Sequence, residues 1–155
     1  MDRSITFQLP GEENVTVTHL VVDFNGTLAV DGTLIDGVDA RLREIAHRLE
    51  ITVVTADTFG TARRAVSSLP VLVHTVATGV DKARCVSNLG GGVVVVGNGR
   101  NDAGMFRVAT LAIAVLGREG LAPELLGTAA VIVKDIRDAL DLLIKPTRLI
   151  ATRRA

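Results

Sequence analysis

The sequence has no tryptophan and no tyrosine, so it cannot offer an aromatic platform on which the bases of a single strand would stack. Its one cysteine, Cys85, rules out an internal disulfide and a multi-cysteine zinc site. Seventeen basic residues cancel seventeen acidic ones, which leaves no field of one sign to favour nucleic acid or an anionic membrane. The longest apolar run, Leu111 to Leu116, is six residues, too short to cross a bilayer. The opening residues Met1 to Ile5 carry no apolar signal stretch, so the cytoplasm is the expected location. Long linkers, internal repeats and low-complexity segments are absent as well. The 155 residues therefore read as one domain, 1–155.

What is present is an alternation of strand-like and helix-like patterns in a chain that is 48% apolar. Ile5 to Leu9 and Val15 to Thr18 flank Pro10-Gly11-Glu12-Glu13-Asn14, a β-hairpin pattern, so residues 1–18 form an N-terminal hairpin extension. Leu20 to Asp23 reads as a buried strand ending on a carboxylate. Asp31-Gly32 marks a two-residue turn in a second hairpin, Leu28 to Leu34. Val38 to Leu49 has apolar residues at helical spacing. Strands at Ile51 to Thr55, Val71 to Thr75, Val93 to Val96, Leu111 to Val115 and Ala130 to Val133 follow. Helices at Thr58 to Ser68, Lys82 to Leu89, Asn101 to Val108, Pro123 to Leu126 and Ile136 to Ile144 alternate with them. Apolar strands with helical connections imply an α/β protein: a three-layer, Rossmann-like, mostly parallel sheet with helices on both faces. Residues 145–155, with Lys145, Arg148, Arg153 and Arg154, read as a solvated basic tail.

In such a sheet, ligands bind at the carboxyl ends of the strands, near a switch in strand order. Four groups of polar residues fall at strand ends or the helix starts that follow them: Asp23, Thr55, Lys82, and the run Gly97 to Asp102. Together they suggest phosphoryl transfer. A carboxylate such as Asp23 can attack phosphorus. The Thr55 hydroxyl and the Lys82 ammonium can hold the oxygens on which charge develops. Asp23 and Asp102 can serve Mg²⁺, which prefers oxygen ligands. Gly26 and Gly99 let backbone N–H groups approach a phosphate. Each residue also has a structural reading: Asp23 in a turn, Thr55, Asp57 or Thr58 as helix caps, Lys82 in solvent, Asp102 in the first turn of a helix.

At these residues the chain resembles the haloacid dehalogenase (HAD) superfamily, and within it the soluble P-type ATPase-like proteins, over about Leu20 to Ile144. Asp23-Phe24-Asn25-Gly26-Thr27-Leu28 matches the first motif. Thr55-Ala56-Asp57-Thr58-Phe59-Gly60-Thr61-Ala62 is similar to the P-type Thr-Gly-Asp segment. Asp81-Lys82 matches the lysine motif, and Gly97-Asn98-Gly99-Arg100-Asn101-Asp102 resembles Gly-Asp-Gly-x-Asn-Asp. The resemblance implies Asp23 as nucleophile and Mg²⁺ ligand, with the carbonyl of Asn25 and the side chain of Asn98 as further ligands. Asp102 would complete or support that metal site. Gly26, Thr55, Ala56 and Lys82 would bind the phosphoryl group.

Two departures qualify it. Many phosphatases of the superfamily place an acid–base Asp where this chain has Asn25, which cannot shuttle a proton. Acid–base help is worth roughly 10²–10⁴-fold, so slow hydrolysis of an aspartyl-phosphate is expected. Asn98 stands where the pattern has a metal-binding Asp, so one negative charge is lost and metal affinity should fall. Both asparagines precede glycine, the least hindered setting for deamidation.

Only 32 positions separate Asp23 from Thr55 and 27 separate Thr55 from Lys82, which leaves no room for a cap domain. An open site suits a macromolecular phosphorylated substrate, or a homo-oligomer whose neighbour closes it. No nucleotide-binding domain or transmembrane helix accompanies the motifs, so ion pumping by this chain alone is not expected. Phe24, Phe59 and Phe106 read either as an apolar rim to the site or as core. Arg100 reads as an anion contact or a solvated loop residue; His19, His47 and His74 lack ligand-like spacing. Two rival readings stand beside a Mg²⁺-dependent HAD hydrolase. Gly97-x-Gly99-x-x-x-Ala103 weakly mimics a dinucleotide fingerprint, without the acid expected after the next strand. Alternatively, the Asn25 and Asn98 departures fit a catalytically impaired phosphate-sensing or partner-binding module on the same scaffold.

Overall fold

The computed structural model describes residues 3–154. The outermost ends of the hairpin extension and of the basic tail, residues 1, 2 and 155, lie outside the described residues. Ile5–Phe7 (β1) and Val15–Val17 (β2) pair antiparallel as the expected hairpin. His19–Asp23 (β3) enters the main sheet. Ala29–Val30 (β4) and Thr33–Leu34 (β5) form the small second hairpin. Its turn residues Asp31 and Gly32 both have positive φ, 52° and 79°, the combination that a two-residue turn of the hairpin hand requires. The remaining strands are Glu50–Thr55 (β6), Leu72–Thr75 (β7), Val93–Gly97 (β8), Leu111–Val115 (β9) and Val131–Val133 (β10).

The main sheet has the order β10-β9-β8-β3-β6-β7, and each adjacent pair is parallel. β3 lies between β6 and β8. After β3 the chain builds outward on one side through β6 and β7, then crosses to build outward on the other through β8, β9 and β10. The carboxyl end of β3, where Asp23 sits, is therefore the switch point of the sheet.

Period-2 side-chain alternation divides the strands between two cores. Leu20, Val22, Ile51, Val53, Val94 and Val96 pack on one face with helices Val38–Ile45 (α1) and Ile136–Ile144 (α5), and with the β1–β2 hairpin. Val21, Val54, Val93 and Val95 pack on the other face with Val86 of helix Gly79–Ser87 (α3) and with Met105 and Phe106 of helix Ala103–Val108 (α4). This is the expected three-layer α/β arrangement. A sheet covered on both faces explains why β8 can be valine at four successive positions.

Several boundaries differ from the sequence reading. The helix after β5 stops at Ile45, and a turn carries Leu49 into the core instead. The helix after β6 shrinks to Thr61–Ala65 (α2), because the chain first turns through Asp57 and Gly60, both at positive φ. Arg100–Asp102 and Pro123–Leu125 are single 3₁₀ turns. Residues 145–154 do not form a solvated tail. Thr147–Thr152 (α6) buries Leu149, and Arg153 reaches Glu12 at 2.7 Å. One apolar pair, Leu149-Ile150, gave this short basic segment a face to dock.

Candidate active site

Asp23, Thr55, Lys82 and Asn98 come together at the carboxyl edge of the sheet, around a cavity of about 370 Å³ that Asn25, Ala56, Gly99 and Glu119 also line. Asp23 ends the central strand and Thr55 ends its neighbour, and the parallel register sets Asp23 opposite Val54, one residue before Thr55, so both reach the same edge of the sheet. Lys82 arrives differently. Thr78 caps α3 by accepting from the Asp81 N–H at 3.3 Å, while Asp81 accepts from the N–H groups of Ala77 and Thr78 at 3.1 Å each. This reciprocal cap starts the helix three residues before the expected point. It places Lys82 in the first turns, with its side chain directed into the cavity. Asp81, beside the lysine, is therefore a capping residue.

The Lys82 ammonium donates to Asp23 Oδ1 at 3.0 Å and to Asp102 Oδ1 at 2.8 Å. All three side chains are buried, Asp102 completely. Asp102 Oδ2 accepts from the N–H groups of Asn98 and Gly99, at 3.1 and 3.0 Å. Gly97 has no Cβ because one there would collide with this carboxylate. Asp102 thus has both oxygens engaged inside the protein and does not line the cavity. Its observed contacts support Lys82 and the loop after β8 rather than present a free oxygen to a metal.

Burial pushes the Asp23 carboxyl up to about 7, and the nearby Asp102 adds to the shift against the opposing pull of Lys82. For Lys82, burial pulls the pKa down, but the two carboxylates outweigh it and the net shift is upward. Two carboxyl groups on one ammonium leave this buried cluster with surplus acid.

Thr55 is buried and accepts from the Asp57 N–H at 3.3 Å. Among the described residues its own hydroxyl hydrogen meets no protein acceptor, so it is free to donate into the cavity. Asp57 is a helix-capping group: its carboxylate accepts from the N–H groups of Ala62 at 2.7 Å and Arg63 at 3.3 Å. Asn25 is exposed on the cavity wall.

Other expectations are corrected by the geometry. Gly26 and Gly99 do not offer free N–H groups, because Gly26 donates to the Ala29 carbonyl at 2.9 Å and Gly99 donates to Asp102. These are also the nitrogens that would attack Asn25 and Asn98 in deamidation, so both loops are held against that route. Phe24 and Phe106 are core, whereas Phe59 is 82% exposed beside Asn25 and Thr55. Arg100 stays outside the cavity, with Glu124 at 3.8 Å.

Two residues were missed. Thr27 is buried, and its hydroxyl lies 3.5 Å from Asp23 Oδ2 and 3.2 Å from Asn98 Oδ1, tying the first motif to the fourth. Glu119 follows β9, and the strand-end logic that selected the other groups applies to it equally.

The donors suit a hard divalent cation. Asp23, Asn98 and the main chain at Asn25 all offer oxygen, as Mg²⁺ prefers. The surplus acid at Asp23 is the charge such an ion would balance. Among the described residues no three His, Cys, Asp or Glu side chains form a metal cluster, so such a site would rely on amide and carbonyl oxygens. Among the described residues, no helix is long and apolar enough to cross a membrane.

No family model matches the chain. It is 44% identical over 62 residues to Uncharacterized protein MJ0073 of Methanocaldococcus jannaschii, covering 40% of this chain and 67% of that protein. It is also 44% identical over 39 residues to Uncharacterized protein MJ0072 of the same organism, covering 25% of this chain and 89% of that protein. The deoxy-D-mannose-octulosonate 8-phosphate phosphatase of Haemophilus influenzae, solved with cobalt bound, superposes with a TM-score of 0.69 at 10% identity, over 83% of this chain and 88% of that one. A protein of Streptomyces avermitilis assigned to the HAD family of hydrolases gives 0.65 at 16% identity, over 89% and 84%. A zinc-transporting PIB-type ATPase gives 0.64 at 22% identity, over 78% of this chain and 20% of the pump. The chain belongs to one family with the two archaeal proteins, and its fold is that of the HAD superfamily. The HAD fold accounts for the placement of Asp23, Thr55 and Lys82 on one edge of the sheet.

Proposed function

We propose that this HAD protein is a Mg²⁺-dependent phosphohydrolase that acts on a phosphomonoester through an aspartyl-phosphate on Asp23 and turns over slowly. The observation that carries the reading is Asp23 itself. It ends the central strand at the switch point, is held by Lys82, and shares one cavity with Thr55. The carboxylate attacks phosphorus and the bond to the leaving oxygen breaks. That oxygen takes its proton from water, because Asn25 has none to give. The Thr55 hydroxyl and the Lys82 ammonium hold the phosphoryl oxygens, with the main chain of Ala56 alongside. Water then attacks phosphorus, the bond to Asp23 breaks, and inorganic phosphate leaves with the carboxylate restored. Asp23, the Asn25 carbonyl and Asn98 would hold Mg²⁺, and Asp102 would support them through Lys82 and the loop after β8. When bound, the ion screens the charge of Asp23 and of the phosphoryl oxygens.

Asn25 also supports a second reading, a phosphate-sensing or partner-binding module that uses the same pocket without turnover. Phosphate release from a panel of phosphomonoesters, with and without Mg²⁺ and beside Asp23→Ala, separates the two. Metal-dependent release that vanishes in Asp23→Ala supports the enzyme. Release no greater than that of Asp23→Ala across the Mg²⁺ range overturns it in favour of the module.

A further inference from the structure

Among the described residues that line the cavity, only Asp23 and Glu119 carry carboxylates. Glu119 is exposed, and among the described residues it makes no ion pair and no hydrogen bond. It is nevertheless held in place by its loop. The Asn98 side-chain N–H donates to the Gly120 carbonyl at 3.2 Å, and the Ala122 N–H donates to the Asn98 carbonyl at 2.8 Å. Gly117 donates to the Lys134 carbonyl at 2.9 Å. The loop is thus fixed at both ends and in the middle.

Its approach to the site is close enough to dictate a glycine. Gly26 has φ +74°, and a Cβ there would lie 2.9 Å from Asn98 Nδ2 and 3.1 Å from the Glu119 carboxylate. Gly26, Asn98 and Glu119 therefore meet at one point. From it Thr27 leads to Asp23, linking Asn98 Oδ1 to Asp23 Oδ2. An aspartate at 98 would have no N–H to give the Gly120 carbonyl. The amide gives up a negative charge and gains a hold on the loop that brings one.

We infer that Glu119 supplies the second carboxylate of the divalent-cation site, in place of the charge that Asn98 lacks. The inference rests on the metal site proposed above. Mg²⁺ is commonly held by one or two carboxylates with waters completing the shell. Asp23 and Glu119, both on the cavity wall, would be those two.

The probe is Mn²⁺, titrated into the metal-free protein by calorimetry and by electron paramagnetic resonance of the free ion. Glu119→Gln should weaken Mn²⁺ binding tenfold or more and leave the melting temperature of the metal-free protein unchanged. The double variant Glu119→Gln/Asn98→Asp should recover much of the loss. Wild-type affinity in Glu119→Gln, with binding lost in Asp23→Asn, would overturn the role of Glu119 and leave the metal site standing. Wild-type affinity in both variants, or no Mn²⁺ binding by the wild type, would overturn the site and the inference together.

Discussion

The Lys82 ammonium lies 2.8 Å from Asp102 Oδ1, in an ion pair between two buried side chains. The same nitrogen reaches Asp23 at 3.0 Å. Asp102 is thus the anchor that holds Lys82 against Asp23. Its other oxygen fixes the Asn98 and Gly99 backbone, so one side chain organises two motifs. Asp102→Ala should destabilise the protein by about 1–3 kcal/mol, because Lys82 keeps Asp23 as its partner and the loss is that of the acceptor for the Asn98 and Gly99 N–H groups. Urea unfolding of the metal-free protein measures it. A change below about 1 kcal/mol, the range of an exposed pair, would mean that Asp102 is not this anchor.

Asp23 makes metal-free stability pH-dependent in a direction opposite to that of an ordinary ion-paired carboxylate. Its folded pKa is about 7 against 3.8 in the unfolded chain. Between those values the folded state keeps a proton that the unfolded state releases. Stability from this group is therefore full below about 4 and falls as pH rises to about 7, by an amount on the order of a few kcal/mol. Asp23→Asn should flatten that slope and raise the melting temperature at neutral pH while abolishing phosphate release. Thermal melts from pH 4 to 8 with chelator present check it. Parallel slopes in wild type and variant would contradict the assignment.

Asn25→Asp should speed turnover. The position faces the cavity and is exposed, so a carboxyl there can protonate the leaving oxygen and then activate water. The gain should be up to roughly 10²-fold, the lower end of what acid–base help provides, read as kcat on any phosphomonoester that the wild type hydrolyses. An unchanged kcat would show that proton transfer does not limit the reaction.

Phe59 is 82% exposed at the mouth of the site, where an aromatic face can meet the leaving group of a substrate. Phe59→Ala should leave the melting temperature within about 1 °C, since almost no buried area is lost. It should raise KM several-fold with little change in kcat. Steady-state kinetics with an aromatic and an aliphatic phosphomonoester provide the check, with the larger effect expected for the aromatic one.

The fold was legible because the sheet is apolar on both faces. Runs such as Val93 to Val96 leave few alternatives, and the punctuating polar groups fall at strand ends. The placement of Asp23 and Thr55 on one edge was legible for the same reason, and that of Lys82 from the helix that follows the next strand. The helix around Thr61 was misjudged because left-handed backbone at Asp57 and Gly60 interrupts a continuous helical pattern. The segment after Lys145 was misjudged because its charge outweighs one docking pair, Leu149-Ile150. Thr27 and Glu119 were both missed. Glu119 follows a strand end and was open to the same logic as the other groups, whereas Thr27 depends on a contact with Asn98, far away in sequence, which spacing does not encode. Gly26 shows the same limit: its place in the motif suggested a phosphate contact, whereas its N–H is taken by Ala29 and its missing Cβ makes room for Glu119.

The most direct test of the account is a covalent one. The protein should be incubated with Mg²⁺ and acetyl phosphate, quenched in acid, digested and analysed by mass spectrometry. The account predicts one phosphoryl group on the peptide containing Asp23, removed by hydroxylamine and absent in Asp23→Asn. An unmodified Asp23 peptide, together with phosphate release by Asp23→Asn at the wild-type rate, would contradict it.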